Sequence, residues 1–191
     1  MFEKEVAILR IGHRIVRDDR TTTHEILVSR AFGSNTIYMT DVDEEIKKTI
    51  QKINDSWGGV NEFNLKIINN WKKLIEEWKE KQGKIIHLTM YGLQINEVIE
   101  KIKLIEQKIL VIIGAEKVPR EIYSLADYNI SIGNQPHSEI AALAIFLDRL
   151  FEGKQFNREL SNGKRKEYNH KRQINALKIK VILSVYIYIP L

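Results

Sequence analysis

The sequence contains no cysteine. That excludes a disulfide scaffold, a thiolate nucleophile and any Cys-ligated zinc or iron–sulfur centre, and it fits a reducing, cytoplasmic compartment. No apolar run reaches the roughly 18–20 residues of a bilayer span. The opening MFEKEVAILRIGHR carries Glu3, Lys4, Glu5 and Arg10, so it lacks the apolar centre of a signal peptide, and no membrane partner is expected. Several motifs are also missing. No G-x-G-x-x-G follows the first strand and no G-x-x-x-x-G-K-[ST] occurs, which argues against a standard dinucleotide fold and a P-loop. There is no strand–GxSxG–helix turn for a serine hydrolase. The histidines His13, His24, His87, His137 and His170 show no metal-ligand spacing, and no metal is expected.

What is present is a globular composition, 43% hydrophobic and 29% charged over 191 residues, enough for one domain with a short appendage. The net charge of +5 is unevenly placed. Residues 161–180 hold Lys164, Arg165, Lys166, Lys171, Arg172, Lys178 and Lys180 against Glu167 alone. That segment carries +6, which leaves residues 1–160 at −1. A second cationic zone near the start consists of Arg10, Arg14, Arg17, Arg20 and Arg30. The planar guanidinium suits phosphate better than a lysine point charge. Two such zones on a near-neutral body point to a polyanion partner, the plain alternative being a solvated tail and surface arginines.

Hydrophobic periodicity alternates between strand and helix. Strands are expected at 6–11, 36–39, 63–68, 84–90, 109–113 and 128–132. Thr22 and Glu25 form a capping-box pattern opening a helix that Gly33 stops. Asp41 and Glu44 can cap a second helix with Ile46, Ile50, Ile53 and Trp57 on one face, and Asn70 starts a third with Trp71, Leu74, Ile75 and Trp78 inward. Ile95, Val98, Ile99, Ile102 and Ile105 mark a fourth. Pro119 opens a short fifth, and residues 138–151 are apolar on nearly every side. Alternating elements with short links predict an α/β fold with a parallel sheet covered on both faces.

Ligands in such folds lie beyond the carboxyl ends of the strands. Four loops lie there, at residues 12–21, 91–94, 114–119 and 133–137, and the last two are both glycine-led and follow apolar strands: Gly114-Ala115-Glu116-Lys117-Val118-Pro119 and Gly133-Asn134-Gln135-Pro136-His137-Ser138-Glu139. Glycine permits close backbone approach. Loop amides, with Asn134, Gln135 and Ser138 at a helix head, would suit an adenine edge or a ribose. Ordinary turns would use the same residues.

Long strings then converge on one family. Leu9-Arg10-Ile11-Gly12-His13-Arg14, Arg17-Asp18, Arg20, Thr22-Thr23-His24 and Arg30-Ala31-Phe32-Gly33 closely resemble the archaeal tRNA (cytidine-56-2'-O)-methyltransferases of the SPOUT class. So do His87-Leu88-Thr89-Met90-Tyr91-Gly92, both Gly-led loops, and Leu125-Ala126-Asp127-Tyr128-Asn129. The resemblance covers about residues 5–152. It implies a SPOUT-type fold with a C-terminal trefoil knot, and a homodimer whose Arg-rich loop meets the knot of the other subunit. The methyl donor would be S-adenosyl-L-methionine (SAM), and the acceptor the 2'-hydroxyl of a T-loop cytidine in tRNA. By motif, SAM contacts fall on Leu88, Gly114, Ala115, Glu116, Lys117, Val118, Ile132, Gly133, Asn134, Gln135, Pro136, His137, Ser138 and Glu139. Related enzymes place an arginine near the ribose. Arg20, beside the first helix start, is assigned that role, and Arg10, Arg14 and Arg17 are assigned to RNA.

Residues 1–156 form the expected methyltransferase domain. Residues 157–191, basic then apolar, depart from the family pattern as an extension. A noncatalytic RNA-binding module of the same fold, and a domain binding a different adenosine ligand, are the competing readings.

Overall fold

The computed structural model of the protein describes residues 4–12, 19–115 and 117–164. The basic-then-apolar stretch beyond Lys164 lies outside the described residues. Six strands alternate with six helices: β1 Val6–Ile11, α1 Asp19–Ala31, β2 Thr36–Met39, α2 Glu45–Trp57, β3 Asn64–Ile67, α3 Trp71–Glu80, β4 Lys84–Gln94, α4 Ile95–Lys103, β5 Ile109–Gly114, α5 Glu121–Leu125, β6 Tyr128–Ser131 and α6 Glu139–Phe151. A single 3₁₀ turn, Lys154–Asn157, follows.

The strands form one sheet in the order β3-β2-β1-β5-β4-β6, and every pair is parallel. Side chains alternate between its faces, as the pleat requires. Val6, Ile8, Val111 and Ile113 face a core closed by Ile26 of α1, Ile50 of α2, Ile99 of α4 and Phe146 of α6. Ala7, Leu9, Leu110 and Ile112 face a second core closed by Leu74 and Ile75 of α3 and Ile122 of α5. The predicted parallel sheet covered on both faces is therefore observed.

Element ends carry their own chemistry. The Asn70 side chain accepts a hydrogen bond from Lys73 N at 3.1 Å and caps α3. The Lys4 ammonium donates to the Lys103 carbonyl (2.7 Å) and the Ile105 carbonyl (2.5 Å), covering acceptors at the end of α4. Leu74 and Ile75 are buried and Trp71 and Trp78 pack beside them, as predicted, whereas Trp57 at the end of α2 is half-exposed.

Several expectations need correction. β4 does not stop at a Tyr91-Gly92 turn. Leu88 and Leu93 both stand opposite Ile130, so residues 89–92 bulge out of the strand and the chain rejoins the sheet. Gly92 allows this: a Cβ there would lie 2.5 Å from the Asn129 carbonyl. The first residues of the extension, 157–164, pack back on the body. Gly59 N donates to the Ser161 carbonyl at 2.9 Å, Lys164 N donates to the Asp55 carbonyl at 3.2 Å, and Ser161 N donates to Glu62 at 2.7 Å.

The capping box is also wrong. α1 begins three residues earlier, so Thr22 and Glu25 lie inside the helix and are fully buried. Glu25 forms an ion pair with Arg10, and both side chains are 0% exposed. Arg10 Nη1 also donates to the Gly12 carbonyl at 2.9 Å. Arg10 is therefore a strut between β1 and α1 and not an RNA contact. It shares the parity of Val6 and Ile8, which places it under α1, where a charge persists only with its partner. Replacing Glu25→Gln strands the guanidinium. We expect a loss of about 3–5 kcal/mol in denaturant unfolding, and a loss below about 1 kcal/mol would contradict the strut.

Candidate active site

The bulge in β4 and the carboxyl ends of β5 and β6 enclose a cleft of about 320 Å³. One wall is apolar: Leu88 and Met90 from β4, Ile132 after β6 and Ala142 of α6. Gly114 and Ala115 line it at the end of β5, and Gln135, Pro136, His137 and Glu139 supply the opposite rim. Thr89 completes the lining. Small residues, an apolar wall and a polar rim fit a ligand with one flat apolar part and one polar part.

Local chemistry shapes the rim. Gly133 has φ +131°, a conformation that L side chains avoid. The Ser131 hydroxyl donates to the Gly133 carbonyl, and Gly133 N donates back to Ser131 Oγ at 3.2 Å. Ser138 then caps α6, accepting from Ile140 N at 3.1 Å. Glu139 follows in the first turn, where a carboxylate complements the helix dipole.

Of the motif positions assigned to SAM, Leu88, Gly114, Ala115, Ile132, Gln135, Pro136, His137 and Glu139 line this cleft. Gly133, Asn134 and Ser138 belong to the same loop without lining it. Val118 turns away to pack in the core beneath α3 and α5, and Lys117 is exposed. Glu116 lies outside the described residues. The expectation that loop amides serve the ligand fails at two places. Ala115 N is bonded to the Ile11 carbonyl (3.1 Å) and Gly133 N to Ser131. Sequence reasoning missed Thr89, Met90 and Ala142. The 89–92 bulge turns the first two toward the cleft, and Ala142 lies three residues after Glu139 on the same helix face.

The arginines are distributed differently from the sequence reading. Arg20 is exposed at the first turn of α1 and does not line the cleft. Arg14 and Arg17 lie outside the described residues. Arg30 Nε donates to Asn54 Oδ1 (3.0 Å) and Nη2 to the Gly58 carbonyl (2.8 Å), tying α1 to the end of α2. Burial, then the nearby Arg158, hold its pKa below the usual guanidinium range. No Lys or Arg lines the cleft among the described residues.

A model described as tRNA ribose 2'-O-methyltransferase, aTrm56, matches residues 57–176. The tRNA (cytidine(56)-2'-O)-methyltransferase of Nitrosopumilus maritimus is 55% identical over 161 residues, covering 84% of this chain and 89% of that protein. The chain belongs to this tRNA ribose 2'-O-methyltransferase family. The Thermococcus kodakarensis relative of the same name is 45% identical over 181 residues, 93% of this chain and 99% of its own length, so similarity within the family runs into the basic C-terminal segment.

Solved structures share the fold at low identity. The SpoU methyltransferase AviRb from Streptomyces viridochromogenes, solved with AdoMet, gives a TM-score of 0.60 at 12% identity, with 80% of this chain covering 58% of that one. The A. aeolicus TrmH/SpoU tRNA modifying enzyme gives 0.58 at 15% identity, with coverage of 94% and 90%.

Immediately before the cleft residue Leu88, His87 is buried, with Nδ1 2.9 Å from Asn129 Oδ1. Burial lowers its pKa below 6.5, and the hydrogen bond to Asn129 opposes that in part. The unfolded chain therefore binds the proton more readily. His87 favours the folded state above about pH 6.5, and that contribution is lost as pH falls through the window below it. Urea unfolding of this family member from pH 7.5 down to 5 should show declining stability, with a shallower decline in His87→Gln. Equal slopes in parent and variant would contradict a buried neutral imidazole.

Proposed function

We propose that the chain methylates the ribose 2'-oxygen of cytidine 56 in the T-loop of tRNA, with SAM as donor, working as a homodimer in the cytoplasm. The observation that carries this reading is the gathering of motif positions from three separate segments, Leu88, Gly114-Ala115, and Ile132 with Gln135, Pro136, His137 and Glu139, into one cleft in a member of this family. A noncatalytic RNA module has no need of such a cleft.

When bound, SAM would supply a methyl group on a sulfonium sulfur: the O–C bond to the ribose oxygen forms as the C–S bond breaks, a neutral thioether leaves, and the hydroxyl proton passes to solvent. The chain's own residues do the rest. Leu88, Ile132 and Ala142 present an apolar surface that excludes water from one side of the cleft. Gln135, His137 and Glu139 offer the polar groups that orient the donor. Arg20 is the group proposed to meet the 2'-hydroxyl, where its fixed positive charge stabilises the developing alkoxide. The cleft lacks Lys and Arg among its described lining, so the phosphate-binding cations come from elsewhere. A homodimer supplies them by bringing the Arg-rich loop of one subunit, with Arg14, Arg17 and Arg20, to the cleft of the other. The C-terminal part is read as the trefoil knot of the SPOUT class. The basic run beyond Lys164 adds sequence-blind, salt-dependent phosphate contacts.

Incubation with SAM and archaeal tRNA, followed by mass-spectrometric mapping, should place one methyl group on the ribose of cytidine 56. A methyl on a base, on another nucleotide, or on none would overturn the reading. For Arg20, single-turnover transfer by Arg20→Ala should fall at least about a hundredfold while SAM affinity is kept. A rate within a few-fold of the parent would remove Arg20 from the chemistry.

A further inference from the structure

Beneath the cleft, polar side chains from three elements join in one hydrogen-bonded chain. Asn129 Nδ2 donates to the Tyr123 carbonyl at 2.9 Å, and the Tyr123 hydroxyl lies 2.9 Å from Thr89 Oγ1. At the other end Asn129 Oδ1 meets His87 Nδ1. The His87 and Tyr123 rings stand edge to face, 4.8 Å apart at 88°. The directions of the two Asn129 bonds are determined. A carbonyl only accepts, so Asn129 presents its NH₂ to Tyr123 and its oxygen to His87, which carries a proton on Nδ1.

The placement of these residues suggests a role. Thr89 opens the bulge within β4 and lines the cleft, whereas Tyr123 does not. Tyr123 is on α5, the element that follows the Gly114 loop. Asn129 is on β6, which leads into the Gly133 loop. The chain thus ties one cleft segment, the β4 bulge, to the two elements that adjoin the other cleft segments, α5 after the Gly114 loop and β6 before the Gly133 loop. None of the motif positions assigned to SAM is a member of it.

We propose that Tyr123 is a positioning residue for methyl transfer: its hydroxyl fixes Thr89 at the cleft wall, and its carbonyl anchors β6 through Asn129. The three segments are then held in one arrangement before the donor binds, and little ordering remains to oppose binding. This proposal rests on the reading of the cleft as the SAM site.

The test is a double-mutant cycle on SAM affinity, measured by calorimetry at a temperature where every variant is folded by circular dichroism. Tyr123→Phe removes one hydroxyl and keeps the ring against His87. Thr89→Val removes the partner hydroxyl at constant shape. Each should weaken SAM binding about three- to tenfold, the scale of one hydrogen bond, and the double variant should be no weaker than the worse single. Thr89→Ser, which keeps Oγ, should bind SAM more tightly than Thr89→Val. The KM for tRNA should stay within twofold, which a general loosening of the fold would not allow. Affinities within twofold of the parent for both single variants, or effects that multiply in the double, would overturn the proposal while leaving the SAM site standing. A parent protein that binds no SAM would overturn the cleft reading, and the role of Tyr123 with it.

Discussion

The structure depends on the burial of β5 on both faces and both edges. Ile109, Leu110, Val111, Ile112 and Ile113 are at most 1% exposed. β5 pairs with β1 on one side and β4 on the other. An all-apolar strand in that position requires helices above and below, because either face left bare would expose a contiguous isoleucine-rich surface. It also fixes the functional end of the molecule. Parallel pairing forces β1, β4, β5 and β6 to finish on the same side, so the segments that follow them have to meet there.

Two kinds of chemistry are consequently divided between two places. The cleft at the β4 bulge and the ends of β5 and β6 is small and apolar on one wall, with neutral or acidic groups on its rim. The arginine-rich segment lies after β1, and the one strand arginine, Arg10, is committed to the core by Glu25. A cleft that avoids strong cations and a separate cationic segment would suit the proposed reaction between a positively charged donor and a polyanion. A larger cavity of about 650 Å³ lies at the other end of the sheet, where Asn35, Asn64, Glu62, Arg158 and Ser161 line it. Volume does not make it the active site. Its walls are polar groups that already bond one another, such as Ser161 with Glu62, and it gathers none of the motif positions assigned to SAM.

Much of this was legible in the sequence because the signals are local. Short apolar runs marked the strands, Asn70 and Ser138 marked helix starts, and the glycine-led loops marked two sides of the cleft. What escaped depends on partners distant in sequence. Glu25 looked like a capping residue because its role is set by Arg10, fifteen positions earlier on a neighbouring strand. Arg10 looked like a phosphate ligand because the strand's parity, which places it under α1, counts only once the helix is docked. The strand order is non-sequential, so the pairing of β4 with β6 and the 89–92 bulge between them had no local signature. The hydrogen bond that occupies the Ala115 amide, to the Ile11 carbonyl on β1, was hidden for the same reason. Family resemblance supplied what periodicity could not, the identity of the ligand and of the acceptor.

The central claim is that the β4 bulge and the ends of β5 and β6 form the SAM site. Its most direct test is an amide-resolved NMR titration of the folded protein with SAM. The account predicts shift changes concentrated at residues 88–90, 114–115, 132–139 and at Ala142. Changes centred instead on Asn35, Asn64, Arg158 and Ser161, or none at saturating SAM, would contradict it.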